Sequence, residues 1–281
     1  MKEWISPIPK TIHLIWIGNN PLPDYARLFI DSFLNYCPEF QIKLWSESTL
    51  TKSNFPKTYK YIQKAKSYQG KPMIKDYSDT ETIHYYDKNN EIKNYSKFAQ
   101  ITDLMRLEIV YNEGGFYFDT TFEILKPLYN LLNRKERFVG CNEVPRFKDF
   151  DHLSNSFFGA TKNNPVLKRL LDKKKLDNID FSNPAVDNET GPRYLRSGIN
   201  LSDNYYIYPT NNFYPFIEEY SPGENPSYRK ASKNKCHSIK KKKSYKKLNN
   251  SKGYIDYPCE KYKKSYALKH WQLGKSWIYW E

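Results

Sequence analysis

The central segment of the sequence runs from Asp103 to Leu128 and reads DLMRLEIVYNEGGFYFDTTFEILKPL. Apolar residues recur at helical spacing up to the pair Gly114 and Gly115, and a glycine pair is a common helix end. The aromatic run after the glycines predicts a short strand that leads into Asp119. The segment therefore predicts a helix, a glycine turn and a strand that ends at a carboxylate.

The chain before this segment opens with a β-α-β pattern. Residues 11–17 (TIHLIWI) are apolar and β-branched and end at Gly18, which predicts a buried strand. Asp24 is expected to cap a helix that ends near Pro38, and residues 40–45 predict a second strand.

The rest of the chain continues the alternation. Residues 137–141 and 157–160 are strand candidates, and a helix is expected to begin near Pro165, whereas the polar stretch 46–97 is expected to be irregular. Alternating strands and helices predict an α/β sheet with helices on both faces. In such sheets ligands bind beyond the carboxyl ends of the strands.

Size and composition favour one domain over residues 1–281, although two small ones would also fit the length. No apolar run approaches the roughly 18 residues that a membrane span requires, and the first residues lack a signal-peptide core. The four cysteines form no C-x-x-C pair, which argues against a zinc or redox motif. We therefore expect a cytoplasmic protein.

A basic segment at residues 228–255 contributes much of the net charge of +14, because it holds eleven Lys or Arg residues and no acid. Such a block is typical of a solvated loop or insertion. It would also suit contact with an anionic acceptor or a membrane surface, and its interspersed tyrosines leave nucleic-acid binding as an alternative.

Candidate site residues cluster in the central segment. Asp103 and Arg106 lie three residues apart and project from the same side of a helix, as a plain intrahelical ion pair would also do. Alternation along the extended segment after the aromatic strand places Asp119, Thr121 and Glu123 on one side.

The sequence resembles glycosyltransferase family 32 in several blocks. Residues 9–18 (PKTIHLIWIG) and the central segment carry the resemblance, which continues in 155–160 (NSFFGA), 190–192 (TGP) and 270–277 (HWQLGKSW). It implies a GT-A type, Rossmann-like nucleotide-binding sheet and sugar transfer from a nucleotide-sugar donor with retention at the anomeric carbon.

The resemblance also implies a donor site. Trp16 matches the aromatic residue that stacks on the nucleotide base. Asp103 and Arg106 match a helical pair that holds donor-sugar hydroxyls and helps neutralise phosphate, and Asp119 matches a carboxylate that contacts ribose and sugar. These last three are the catalytic candidates, and further donor-binding candidates are Tyr117, Asn155, Ser276 and Trp277.

A DXD-like motif with a departure stands at the end of the aromatic strand. The family carries Asp-x-Asp, whereas this chain reads Asp119-Thr120-Thr121, and the second Asp of the family motif is the main protein ligand to a divalent metal. The resemblance still implies Mn²⁺ or Mg²⁺, with Asp119 and His270 as ligand candidates and Thr121 and Glu123 as weaker ones, since hard cations prefer carboxylates to hydroxyls.

These features favour a retaining hexosyltransferase of glycan biosynthesis that uses a UDP-sugar rather than GDP-mannose and acts on a glycan or protein acceptor. Thr121 motivates one alternative, a catalytically inactive relative that binds sugar nucleotides or glycans. A nucleic-acid-binding protein is another, but it leaves the central carboxylates and arginine unexplained.

Overall fold

The computed structural model describes residues 6–18, 21–67, 95–128, 133–143, 153–181, 186–214 and 265–269. Its strands are β1 Thr11–Trp16, β2 Gln41–Ser46, β3 Gly115–Phe118, β4 Phe122–Ile124, β5 Phe138–Asn142, β6 Leu153–Ala160, β7 Tyr205–Tyr208 and β8 Ala267–Lys269. Its α-helices are α1 Asp24–Tyr36, α2 Tyr59–Ser67, α3 Tyr95–Glu113, α4 Pro165–Leu170, α5 Lys173–Asp177, α6 Val186–Glu189 and α7 Pro192–Arg196. Two 3₁₀ turns lie at Glu47–Thr49 and Thr210–Asn212.

Six strands form a mixed sheet in the order β2-β1-β3-β6-β5-β7. Strand β1 is parallel to both of its neighbours, β2 and β3. Strand β6 is antiparallel to β3 and β5, and β5 is parallel to β7. A second, two-stranded sheet pairs β4 with β8 in antiparallel register.

The six-stranded sheet has a hydrophobic core on each face. Alternation along β3 turns Tyr117 toward one core, which also contains apolar residues of α2, α3, α4, α5 and α7. It turns Phe116 and Phe118 toward the other core, which contains residues of α1, β4 and β8. The predicted α/β class with helices on both faces is confirmed.

Helix boundaries depart from the prediction at two places. Asp24 lies in the first turn of α1 instead of capping it, and Pro23 occupies the cap position without a side-chain hydrogen bond. The stretch expected to be irregular contains α2. The buried carboxylate of Glu108 on α3 accepts hydrogen bonds of 2.8 Å from the backbone N–H groups of Lys57 and Thr58, the two residues just before α2.

The glycine turn between α3 and β3 has the conformation that its sequence predicts. Gly114 and Gly115 have φ values of +70° and +101°, which favour glycine. A Cβ on Gly115 would lie 2.5 Å from the carbonyl oxygen of Thr11. Position 115 therefore favours glycine both because of its positive φ and because a Cβ atom would clash with Thr11.

A buried histidine holds the same turn. His13 Nε2 lies 2.8 Å from the carbonyl oxygen of Gly114, and Trp45 Nε1 donates to His13 Nδ1 at 3.2 Å. These contacts require a neutral ring with its proton on Nε2. Burial lowers the pKa of His13, in agreement with the neutral form.

The segment 228–255 and the residues after Lys269 lie outside the described residues. No helix in the described ranges combines the length and apolar character needed to cross a membrane.

We predict that Gly115→Ala lowers the free energy of unfolding by about 2 kcal/mol more than Gly18→Ala. Gly18 is a matched control, because its φ is also +101° but its added Cβ would lie no closer than 3.5 Å to a neighbouring atom, on the Phe98 ring. Urea unfolding of both variants measures the difference. Equal losses would show that the contact with Thr11 is relieved at little cost.

Candidate active site

The three residues proposed as catalytic converge in the structure. Arg106 Nη2 lies 3.2 Å from Asp103 Oδ1, and Arg106 Nη1 lies 3.5 Å from Asp119 Oδ1. The side chains of Asp103 and Arg106 are 6% and 7% exposed, whereas that of Asp119 is 25% exposed. Asp119 is therefore the member of this group that solvent or a ligand can reach most readily.

The fold explains this convergence. Helix α3 carries Asp103 and Arg106 on one side, and the glycine turn reverses the chain so that β3 packs beside the same helix. The guanidinium carbon of Arg106 lies 4.5 Å from the centre of the Tyr117 ring. Asp119 follows β3 directly, and its N–H donates to the carbonyl oxygen of Ser156 on β6 at 2.9 Å.

Asp103 is held by donors on both carboxylate oxygens. Asn155 Nδ2 donates to Oδ1 at 2.8 Å, and the Thr190 hydroxyl donates to Oδ2 at 2.9 Å. Arg106 Nη1 in turn donates to the carbonyl oxygen of Asn155 at 2.7 Å. Asp103 thus orients Arg106 and Asn155. Thr190 was not among the predicted site residues, although it belongs to the block 190–192 that carries the family resemblance.

Arg106 remains charged despite its burial. Its Nε and Nη2 donate to the carbonyl and hydroxyl oxygens of Thr102, each at 3.2 Å. Burial alone would lower the pKa of Arg106, but Tyr117 and the two nearby carboxylates raise it above its ordinary value. Arg106 therefore contributes one permanent positive charge to the cluster.

Asp119 has donors on both of its oxygens. The Tyr117 hydroxyl donates to Oδ1 at 2.7 Å, and the ammonium group of Lys269 pairs with Oδ2. Burial alone would raise the pKa of Asp119, but Lys269 and Arg106 lower it below its ordinary value, so the carboxylate is ionised at neutral pH. Lys269 is a site residue that the sequence analysis missed, and its position next to His270 was the available signal.

The chain after Asp119 turns instead of staying extended. The N–H of Phe122 donates to the carbonyl oxygen of Asp119 at 3.1 Å, which closes a turn through Thr120 and Thr121. The expected alternation of Asp119, Thr121 and Glu123 on one side is therefore wrong, since alternation requires an extended chain. Glu123 lies instead on β4 of the small sheet and is buried.

The predicted metal ligands do not form a metal site in the part of the chain that the structure describes. No group of three or more His, Cys, Asp or Glu side chains is placed to hold an ion there. The Thr121 hydroxyl is buried without a hydrogen-bond partner among the described atoms, and the Asp119 oxygens already accept from protein donors. Because Lys269 pairs with Asp119 and Thr121 offers only a hydroxyl, the described part of the motif does not fit a divalent cation. His270, Ser276 and Trp277 lie outside the described residues.

Trp16 lies at the same edge of the sheet as Asp119. It is half-buried at the carboxyl end of β1. Strand β1 is parallel to β3 with His13 opposite Tyr117, so both strands end on the side where Asp119 begins. The predicted base-stacking residue and the partly exposed carboxylate thus share the edge at which α/β sheets bind ligands.

The part of the chain that carries this site is similar to a known sequence family. Residues 23–139 match the family model described as a glycosyltransferase sugar-binding region containing a DXD motif. This range includes Asp103, Arg106 and Asp119. The match confirms the family resemblance that the central segment carries.

Two curated relatives are toxins. A toxin of Photorhabdus asymbiotica is 25% identical over 174 residues, which cover 59% of this chain and 6% of the relative. Toxin Afp18 of Yersinia ruckeri is 27% identical over 190 residues, which cover 60% of this chain and 8% of the relative. The chain therefore spans a small part of the length of the curated relatives that it matches.

Similar solved structures include the PaToxG glycosyltransferase, with a TM-score of 0.42 and 21% identity over 68% of this chain and 67% of that one. The UDP-bound glycosyltransferase domain from the YGT toxin has a TM-score of 0.41 and 11% identity over 72% of this chain and 79% of that one.

We predict that Asp103→Ala lowers the free energy of unfolding by about 3 kcal/mol or more, because it leaves the guanidinium of Arg106 buried with less compensation. Glu136→Ala is the control, since it removes a half-exposed ion pair with Arg134 and should cost below about 1 kcal/mol. Urea unfolding at neutral pH measures both. Similar losses in the two variants would contradict the structural role of Asp103.

Proposed function

We propose that this chain, whose residues 23–139 match the model of a glycosyltransferase sugar-binding region containing a DXD motif, transfers a sugar from a nucleotide-sugar donor to an acceptor. The observation that carries the proposal is the convergence of Asp103, Arg106 and Asp119 at the sheet edge that also holds Trp16. A plain intrahelical ion pair does not require the second carboxylate, and here it is present and partly exposed.

Each residue of the cluster has a role that its contacts support. The indole of Trp16 stacks on the nucleotide base, because a flat aromatic surface binds a planar base through dispersion and burial. Asp119 accepts hydrogen bonds from ribose or sugar hydroxyls. Arg106 provides a fixed positive charge near the diphosphate, and Asp103 keeps its guanidinium in place.

The reaction separates the anomeric carbon from a diphosphate leaving group. Fixed cations near that group lower the barrier, because negative charge grows on it in the transition state. Both carboxylates of the cluster are held by protein donors, so neither is presented as a nucleophile. We therefore propose that the acceptor attacks on the face from which the diphosphate departs, with retention.

The proposed donor is a UDP-sugar in preference to GDP-mannose, and the proposed acceptor is a glycan or a protein. A second candidate function is a protein that binds a sugar nucleotide without transferring the sugar. The specific observation in its favour is Thr121, whose hydroxyl stands where the family motif has an acid.

A donor screen by thermal shift tests the proposal. UDP-glucose, UDP-galactose, UDP-N-acetylglucosamine and GDP-mannose are each added with and without Mn²⁺, and at least one is expected to raise the Tm of the wild-type chain. Asp119→Ala should abolish this rise, whereas the distant Glu136→Ala should retain it. A full ligand-induced rise in Asp119→Ala would overturn the site assignment.

Transfer itself is tested with the donor that the screen identifies. We expect slow donor hydrolysis without an acceptor, and NMR of the released sugar should show the anomeric configuration of the donor before mutarotation. An inverted anomer would rule out same-face attack. Binding without any hydrolysis or transfer would favour the silent sugar-nucleotide binder.

A further inference from the structure

The ion pair between Lys269 and Asp119 changes the electrostatics expected of this motif. The family motif carries two acids, and this chain replaces the second with Thr121, which removes one negative charge. The chain also places an ammonium group on the remaining acid, which adds one positive charge. Both changes act in the same direction, because each makes the site less favourable for a divalent cation.

Lys269 is firmly positioned for this contact. Its N–H donates to the carbonyl oxygen of Phe213 at 3.2 Å, and it stands opposite Phe122 in the β4–β8 pair. Its ammonium lies 5.3 Å from the centre of the Phe122 ring, and its side chain is 5% exposed. A long side chain is thus held by backbone pairing and burial, and not only by its ion pair.

The surrounding charges are nearly balanced. Within the cluster, the carboxylates of Asp103 and Asp119 face the cations of Arg106 and Lys269. Burial lowers the pKa of Lys269, and the charges of Asp119 and of a further acid, Glu143, oppose this effect and favour the ammonium form. A dication that entered beside Asp119 would compete with the ammonium of Lys269 for the same carboxylate, whereas a diphosphate would find the cations of Arg106 and Lys269 beside the two carboxylates.

We propose that Lys269 supplies to the donor diphosphate the positive charge that a divalent cation supplies beside a complete Asp-x-Asp motif, so that this chain binds nucleoside diphosphates without a metal. The proposal rests on the nucleotide-sugar function proposed above. An ammonium group has three N–H donors and can bridge a carboxylate and a phosphate oxygen. Unlike an exchangeable ion, it is always present in the folded chain.

Calorimetric titration of the wild-type chain with UDP and with GDP tests the proposal directly. We expect at least one of them to bind with a Kd that agrees within about twofold between buffer with EDTA and buffer with excess Mn²⁺. Binding that requires Mn²⁺ or Mg²⁺ would overturn the role of Lys269 and leave the nucleotide-sugar function standing. No binding under any condition would overturn both.

Substitution of Lys269 shows whether this residue provides the charge. Lys269→Met keeps the length of the side chain and should weaken nucleoside diphosphate binding in EDTA by about tenfold or more. Lys269→Arg keeps the cation and should retain most of the affinity. Lys173→Met, which removes an exposed lysine paired with Asp177, is the matched control and should bind as the wild type does.

Far-UV circular dichroism and urea unfolding check that each variant is folded. Wild-type affinity in folded Lys269→Met would overturn the proposal. If Lys269→Met does not fold, the wild-type titration in EDTA still decides between a metal-independent and a metal-dependent site.

Discussion

The burial of the Arg106 guanidinium is the constraint on which the rest of the site depends. A buried charge is costly unless it is paired and hydrogen-bonded, and Arg106 meets this requirement only when several separate elements are docked. Its partners come from α3 itself, from the residue that follows β3 and from the backbone of β6. The hydroxyl of Thr190, just after α6, completes the arrangement through Asp103. The elements around Arg106 must therefore pack correctly for its charge to be paired.

The glycine turn makes this arrangement possible. Its reversal of the chain brings Tyr117 and Asp119 beside the helix that carries Arg106, and a side chain on Gly115 would collide with the backbone of β1. The neutral ring of His13 fixes the same turn to the first strands. The turn thus links the edge where Trp16 lies to the charged cluster.

Local sequence patterns predict the part of the site that local geometry controls. The three-residue spacing of Asp103 and Arg106 is sufficient to place them together, because helical periodicity repeats reliably. The position of Asp119 could be predicted because the strand before it is evident from its aromatic residues. The turn at Thr120–Thr121 was missed because alternation assumes an extended chain. Lys269 could not be predicted in this way, since it reaches Asp119 across 150 residues through the pairing of β8 with β4. Helix α2 was missed for a similar reason, because Glu108 on another helix accepts hydrogen bonds from the N–H groups of the two residues just before it.

The residue identities of the Asp119-Thr120-Thr121 motif and the charges around Asp119 indicate different functions. The identity of Thr121 removes a metal ligand and indicates a loss of function. The loss of that acid is accompanied by the buried ammonium of Lys269 beside Asp119, and both changes favour the binding of an anion over a dication. The diphosphate of a nucleotide sugar needs positive charge, and Coulomb attraction does not depend on whether a metal ion or a lysine provides it. What the fold must preserve under the proposed function is therefore the balance of charge around Asp119 and not the identity of the residue two positions later.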